Sequence, residues 1–261
     1  MVDDLPELSS EEAPGTSPAD AGGWGETVRT IAYALGIAVL IRTFAYEPFS
    51  IPSGSMIPTL LVGDHLFVSK LSYGYSRYSL PFGVPLIPGR ILSDDPVRGD
   101  VAVFRKPTDT NQDYIKRIVG LPGDRLQVVR GILHINGEPV KRKRIEDFID
   151  RSNDGSVKRI PQYLETLPNG VEHRILEAWG DHGPADNTPV FKVPDGHYFG
   201  MGDNRDNSTD SRFPDVGFIP AQNLVGRADV MFFSKTSDMD WWELWKLPAN
   251  LRYDRFFMGI D

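Results

Sequence analysis

The sequence contains no cysteine among its 261 residues. Disulfides, thiolate nucleophiles and thiolate metal sites are therefore excluded, and the absence is compatible with an oxidising or a reducing compartment. Basic residues are also in deficit, because 28 Lys and Arg stand against 36 Asp and Glu, for a formal net charge of −8. Such a balance does not predict a nucleic-acid-binding surface.

Lys and Arg are missing altogether from the first 26 residues, where the sequence places seven of its acids. Without that segment the chain is close to neutral, so the acidity is local. Residues 1–25 are rich in Pro, Ser, Ala and Gly, a composition that cannot bury enough apolar surface to fold. We predict a disordered acidic tail there, without chemistry of its own.

Long apolar runs are scarce, with one exception at Ile31–Ile41, where every residue is apolar or glycine. If residues 26–46 form a helix, its length approaches the roughly 20 residues that a bilayer requires. We therefore predict a single transmembrane helix over residues 26–46. A cleavable signal peptide is disfavoured by the acidic leader and the lack of an A-x-A site, while a buried soluble helix stays open. Arg29 and Arg42 flank the run and balance, so they do not indicate its orientation.

Common hydrolase motifs are absent as well. There is no G-x-S-x-G element, although a Ser-His-Asp triad is defined by geometry and stays open. No H-E-x-x-H pattern or metal-ligand spacing occurs, so no metal site is expected among the five histidines, His65, His134, His173, His182 and His197.

Strand and turn signals dominate the rest, with 25 Gly and 21 Pro against few helical patterns. Residues 47–261 are predicted to form a mainly β catalytic domain built on an antiparallel sheet, and Asn136-Gly137 predicts a hairpin. Periodicity weakens over about residues 141–194, which we interpret as an inserted smaller subdomain.

Ile51–Leu60, IPSGSMIPTL, is the first of three stretches that carry chemistry. Two prolines hold the backbone extended, Gly54 allows a close approach of the backbone to another group, and the hydroxyls of Ser53 and Ser55 lie on either side of that glycine. Taken alone, the stretch is equally typical of an ordinary Ser/Pro/Gly loop.

Asp113–Val119, DYIKRIV, is the second stretch. In a strand, Tyr114, Lys116 and Ile118 share one face, which would desolvate the lysine amine and lower its pKa toward that of a general base. A solvated lysine at a strand edge is the alternative. The third stretch, Arg205–Phe213, is dense in Arg, Asp and Ser and predicts a hydrogen-bonded polar network, with a surface loop as its alternative.

Four motifs occur in the order found in bacterial type I signal peptidases, the membrane-bound Ser/Lys leader peptidases, which the chain resembles from Tyr46 to about Arg227. They are IPSGSMIPTL, RGD at Arg98–Asp100, DYIKRIVGLPGD at Asp113–Asp124 and GDNRDNSTDSR at Gly202–Arg212. The resemblance implies that Ser55 is the nucleophile and Lys116 the general base. It also implies an oxyanion hole made by the Ser53 hydroxyl and the Ser55 backbone N–H, as preorganised donors near the nucleophile would require.

The same resemblance implies roles for residues around this pair. Ser208 would hydrogen-bond and orient the lysine, supported by an ion pair between Asp210 and Arg212. Shallow apolar pockets for small substrate residues at −3 and −1 would be formed by Phe49, Ile51, Met56 and Ile115.

The implied activity is removal of signal peptides from exported preproteins through an acyl-enzyme, without metal or other cofactor. The preprotein would bind as an added β-strand, with membrane lipid as the other partner and no nucleic acid. The enzyme would lie in the bacterial cytoplasmic (inner) membrane as a single-pass protein, with its acidic tail in the cytoplasm and its catalytic domain outside. Two alternatives stay open: a self-cleaving repressor with the same Ser/Lys chemistry, and a non-catalytic membrane-anchored binding module.

Overall fold

The structure is a computed structural model that describes residues 24–80, 86–151, 156–236, 248 and 250–260. The acidic tail up to residue 23 and the tryptophans Trp241, Trp242 and Trp245 lie outside these ranges. Contacts between residues divide the chain into two units, residues 1–39 and 40–261, and the second contains all of the described strands.

Helix α1, Trp24–Phe44, is 21 residues long and almost entirely apolar in its centre. At 1.5 Å per residue it measures about 32 Å, which matches the apolar thickness of a bilayer. Among the described residues it is the one helix long and apolar enough to span a membrane. It begins and ends two residues earlier than the predicted 26–46, because Tyr46 already pairs with Ser69 in a strand.

The described residues after the helix contain nineteen strands. The first ten are β1 Tyr46–Ser50, β2 Asp64–Ser69, β3 Tyr75–Ser76, β4 Arg90–Ile91, β5 Val101–Lys106, β6 Asp109–Gly120, β7 Arg125–Val129, β8 Ile132–Ile135, β9 Glu138–Pro139 and β10 Lys141–Arg144. The others are β11 Phe148–Arg151, β12 Val157–Ile160, β13 Gln162–Thr166, β14 Glu172–Leu176, β15 Phe191–Lys192, β16 His197–Met201, β17 Ile219–Pro220, β18 Leu224–Ser234 and β19 Met258–Gly259.

The main sheet has the order β1-β2-β18-β5-β6-β16-β17, with β19 added to β18. All of its described strand pairs are antiparallel, which confirms the predicted mainly β, antiparallel fold class. Its core follows from alternation within the strands, since Leu66 and Val68 of β2 point inward and are fully buried. Leu60, Val101, Val103 and Met231 complete this side of the core.

A second layer of strands follows β6. A four-stranded sheet has the order β15-β7-β8-β9, a three-stranded sheet has the order β10-β13-β14, and β11 pairs with β12. The first of these sheets joins Phe191 in β15 to Leu126 in β7, and therefore crosses the predicted boundary of the insertion at residue 141. Its apolar residues, including Leu133 and Ile135, pack with Phe199 of the main sheet in one cluster.

Candidate active site

Ser55 lies in a single 3₁₀ turn, Gly54–Met56, in the loop between β1 and β2. Asn204 holds this turn through two hydrogen bonds. Its side-chain Nδ2 donates to Gly54 O at 2.9 Å, and its backbone N donates to Ser55 O at 3.1 Å. Gly202 allows this contact, because a Cβ there would lie 2.5 Å from Ser55 O. The nucleophile candidate is thus held by main-chain contacts that a side chain at residue 202 would disrupt.

Lys116 approaches Ser55 from β6. Its Nζ donates to Ser55 Oγ at 2.8 Å and to its neighbour's carbonyl, Ile115 O, also at 2.8 Å. Only 3% of Lys116 and 8% of Ser55 is exposed. The structure therefore brings together the two residues that the sequence singled out from separate stretches.

The surroundings of Lys116 disfavour its charged form. Burial lowers its pKa from the ordinary 10.5 to about 8, which outweighs the opposing effect of Asp210 and Asp203, while Arg212 lowers it further. Tyr114, the predicted neighbour on the same face, lies with its ring centre 5.3 Å from Nζ. An amine in this state can accept a proton near neutral pH.

Asp210 and Arg212 form a buried pair beside this site. Arg212 Nε and Nη2 each donate to the carboxylate at 2.9 Å, and the Gly202 backbone N donates to Asp210 Oδ2 at 2.9 Å. Burial raises the pKa of Asp210, but the guanidinium more than offsets this, so the pKa lies below its usual value. The pair keeps a charged carboxylate near Lys116 and ties Gly202 in place.

Ser208 differs from its predicted role. Its Oγ is buried and has no hydrogen-bond partner in the described part of the chain. The predicted bond to Lys116 is not present, because Nζ donates to Ser55 and Ile115 instead. The sequence motif around Ser208 therefore did not reveal which atoms accept hydrogen bonds from the Lys116 amine.

Ser53 is exposed and adopts an extended backbone with φ −125°. Its hydroxyl lies 3.5 Å from Ser55 Oγ. This places a second hydroxyl beside the nucleophile candidate, on the open side of the turn.

A cavity of about 460 Å³ opens next to the Ser55–Lys116 pair. Five predicted site residues line it, namely Phe49, Ile51, Ser53, Ile115 and Lys116. Met56, also predicted to form these pockets, is not among the residues that line it. Its side chain is fully buried in the main core with Leu60 and Leu66, because the 3₁₀ turn directs it inward.

One supporting element carried no prediction. Arg117 is fully buried and donates to both oxygens of Asp203, at 3.0 and 2.9 Å, and to Gly99 O at 2.7 Å. Asp203 also accepts from Thr59, four residues after Ser55, at 2.5 Å. A sequence signal did exist for Arg117, since strand alternation places it on the face opposite Lys116, where a buried cation requires an acidic partner.

Comparison with known proteins identifies the family of the chain. A family model described as "Signal peptidase, peptidase S26" matches residues 24–233. The chain belongs to this family. It is a serine endopeptidase, and together with α1 its family membership indicates a membrane-anchored enzyme.

Two curated relatives, both named signal peptidase I, show the extent of the similarity. The protein of Rickettsia canadensis (strain McKiel) is 41% identical over 222 residues, covering 82% of this chain and 81% of the relative. That of Rickettsia akari (strain Hartford) is 42% identical over 219 residues, covering 81% and 80%. A crystal structure of signal peptidase I from Enterococcus faecalis V583 is 26% identical and covers 51% of this chain and 97% of its own, with a TM-score of 0.31, too low for a comparison of site geometry.

Proposed function

We propose that this enzyme removes N-terminal signal peptides from exported preproteins, with Ser55 as the nucleophile and Lys116 as the general base. The supporting observation is the 2.8 Å contact between the buried Lys116 Nζ and Ser55 Oγ. Family membership supplies the class of substrate, because the curated relatives are named signal peptidase I.

Acylation begins when Lys116 is neutral. Its lone pair then accepts the hydrogen bond of the Ser55 hydroxyl, and it takes that proton as Oγ forms a bond to the scissile carbonyl carbon. With a pKa of about 8, the neutral form is a sizeable minority at neutral pH. A lysine with the ordinary pKa would almost always be protonated and unable to serve.

The carbonyl oxygen becomes an oxyanion in this step and requires donors that are already in position. We assign this role to the Ser53 hydroxyl and the Ser55 backbone N–H. Ser53 Oγ and Ser55 Oγ lie 3.5 Å apart. This separation fits a carbonyl group whose carbon is attacked by Ser55 Oγ and whose oxygen accepts a hydrogen bond from the Ser53 hydroxyl.

The tetrahedral intermediate collapses when the carbon–nitrogen bond breaks. The Lys116 ammonium returns its proton to the leaving amine, which departs as the N-terminus of the mature protein. The signal peptide stays esterified to Ser55. Neutral Lys116 then takes a proton from water as the water oxygen forms a bond to the ester carbonyl carbon. When the carbon–Oγ bond breaks, the Lys116 ammonium returns this proton to Oγ and so restores both residues. The signal peptide leaves as an acid that loses its proton to solvent and becomes the carboxylate.

The substrate is proposed to bind as an added strand along β6. This strand pairs with β16 only through residues 117–120, so residues 113–116 have no partner on that side among the described strands. The same residues line the cavity. Main-chain hydrogen bonds would give affinity, and Phe49, Ile51 and Ile115 would form shallow apolar surfaces selecting small residues at −3 and −1.

The anchor is assigned to α1, with one pass through the bacterial cytoplasmic membrane. The N-terminal tail would then be cytoplasmic and the β domain extracytoplasmic, where preproteins emerge. Helix length and composition support the span, and the resemblance to type I signal peptidases supports its direction.

The test is cleavage of a preprotein with an A-x-A site by the full chain in detergent. Ser55→Ala and Lys116→Ala should each abolish cleavage, whereas the exposed matched controls Ser93→Ala and Lys143→Ala should cleave as the unaltered enzyme does. Cleavage at the control rate by either site variant would refute the assignment. A penem inhibitor should add its mass to Ser55, and a protein that is never acylated would instead be a binding module.

A further inference from the structure

Three carboxylates lie together in the second layer of strands, in a cluster formed by Glu177, Asp186 and Asp206. One oxygen of each lies within 4.8 Å of one oxygen of the others. Glu177 and Asp186 are each 1% exposed, and Asp206 is half-buried. Glu177 directly follows β14, while Asp206 belongs to the 3₁₀ turn Arg205–Asn207.

Glu177 has a polar atom that nothing in the described chain satisfies. Its Oε2 is buried and lacks a hydrogen-bond partner. Its other oxygen, Oε1, lies 3.4 Å from Arg142 Nη1, and Arg142 is shared with Asp181 at 2.9 Å. A buried carboxylate oxygen without a partner is costly, so its presence within a carboxylate cluster points to a missing ligand.

The charges around the cluster do not balance. Three guanidinium groups act on it, those of Arg142, Arg205 and Arg212. Arg212 is already paired with Asp210. Arg205 is already neutralised by Glu165, which accepts its two Nη donors at 2.9 and 2.5 Å. When all three groups are ionised they have one shared cation between them, which favours a bound positive charge.

The cluster is held in position by main-chain contacts. Asp206 Oδ2 accepts from the Trp179 backbone N at 2.7 Å, and Asp186 Oδ2 accepts from the Gly183 backbone N. Gly183 approaches so closely that a Cβ would lie 2.3 Å from Asp206 Oδ1 and 3.0 Å from Asp186 Oδ2. The oxygens are thus fixed before any ligand binds.

We propose that Glu177, Asp186 and Asp206 form a binding site for a hard divalent cation, of which calcium fits best. Three oxygens within 4.8 Å of one another can all lie about 2.3–2.6 Å from one calcium ion. Calcium also accepts irregular loops and completes its six to eight ligands with carbonyls and water, whereas magnesium demands a near-ideal octahedron. The three carboxylates are distinct from the residues proposed to carry the Ser55 chemistry.

The position of Asp206 gives the site a consequence. Two residues earlier, Asn204 supports the Ser55 turn through Gly54 O and Ser55 O. A cation would fix the segment that carries both residues without touching the reacting atoms. The ion would therefore stabilise the fold and position the turn, and it would leave the chemical steps to Ser55 and Lys116.

The experiment measures calcium binding and thermal unfolding of the full chain in detergent after treatment with EDTA and removal of the chelator. Titration calorimetry should find one calcium ion per chain, with magnesium weaker. Calcium at 100 times its dissociation constant should raise the unfolding midpoint by about 5–10 °C. Absence of binding at millimolar calcium would overturn the proposal and leave a proton shared between the carboxylates as the explanation.

Variants locate the site. Glu177→Gln and Asp206→Asn should each remove the calcium-dependent shift, and the exposed matched control Glu138→Gln should retain it. Should Glu177→Gln not fold, the half-buried Asp206→Asn decides. Equal calcium responses in the unaltered protein and Asp206→Asn would overturn the assignment of the ligands.

Discussion

The pH dependence of cleavage tests the central claim about Lys116. Because the amine must be neutral to accept the Ser55 proton, kcat/KM should rise with pH and reach half of its plateau near the pKa of about 8. With that pKa the neutral fraction is about one tenth at pH 7 and about nine tenths at pH 9, so the rate should rise about ninefold to tenfold. A lysine with the ordinary pKa of 10.5 would be neutral in only about 0.3% of molecules at pH 8.

A substitution can move this midpoint in a known direction. Burial has the largest effect on the pKa of Lys116, and Asp210 has the next largest. Asp210 raises this pKa, whereas Arg212 lowers it. Asp210→Asn removes the first effect and leaves the second, so the midpoint should shift to lower pH. Breaking a buried pair costs about 3–5 kcal/mol, so the assay belongs at a temperature where circular dichroism shows the variant folded.

The assay is preprotein cleavage at subsaturating substrate between about pH 6 and pH 10, with Glu138→Gln as the exposed control of equal charge change. The control should retain the midpoint of the unaltered enzyme. A flat profile, a midpoint near that of an ordinary lysine, or an alkaline shift in Asp210→Asn would each refute the reasoning.

Three further outcomes are expected. Lys116→Met should raise the free energy of unfolding by up to about 3 kcal/mol at pH 6 and by less than about 1 kcal/mol at pH 10. The reason is that the lowered pKa of Lys116 destabilises the folded state fully below pH 8, and this cost fades as the pH approaches 10.5. Equal gains at both pH values in denaturant titrations would contradict this. Asp203→Asn should lower the free energy of unfolding by about 3–5 kcal/mol, since it deprives the buried Arg117 of its charged partner, and a urea midpoint equal to that of Glu138→Gln would argue against it. Gly202→Ala should lower kcat about 100-fold, because its Cβ would lie 2.5 Å from Ser55 O and displace the nucleophile, whereas Gly259→Ala, which has open space, should leave kcat unchanged.

Local patterns were sufficient for much of the fold. The unbroken apolar run indicated a helix because apolar side chains on every face require a uniformly apolar environment. Asn136 and Gly137 have φ angles of 56° and 90° and pair Ile135 with Glu138 in the predicted hairpin. Both features depend on residues close together in sequence, so composition and spacing determine them.

Long-range features were not accessible in this way. The pairing of β15 with β7 joins a strand inside the predicted insertion to a strand before it, and nothing in the local alternation of either strand selects that partner. Met56 was assigned to a substrate pocket by motif, but a single 3₁₀ turn has no repeating period from which the direction of its side chain follows. Ser208 shows the same limit, because the choice of acceptors by Lys116 depends on atomic distances.

Lys116 and Arg117 show how one local rule acquires its functional meaning from distant residues. Alternation in a strand sends these adjacent cations to opposite faces, and both are buried, at 3% and 0% exposure. Arg117 meets the Asp203 carboxylate at 2.9–3.0 Å and is a paired, structural cation. Lys116 has no carboxylate within ion-pair distance in the described part of the chain, and burial therefore lowers its pKa to about 8. Strand alternation determines that the two side chains lie on opposite faces. Because a carboxylate lies within ion-pair distance of Arg117 but, among the described residues, not of Lys116, Lys116 is the one that can act as a base.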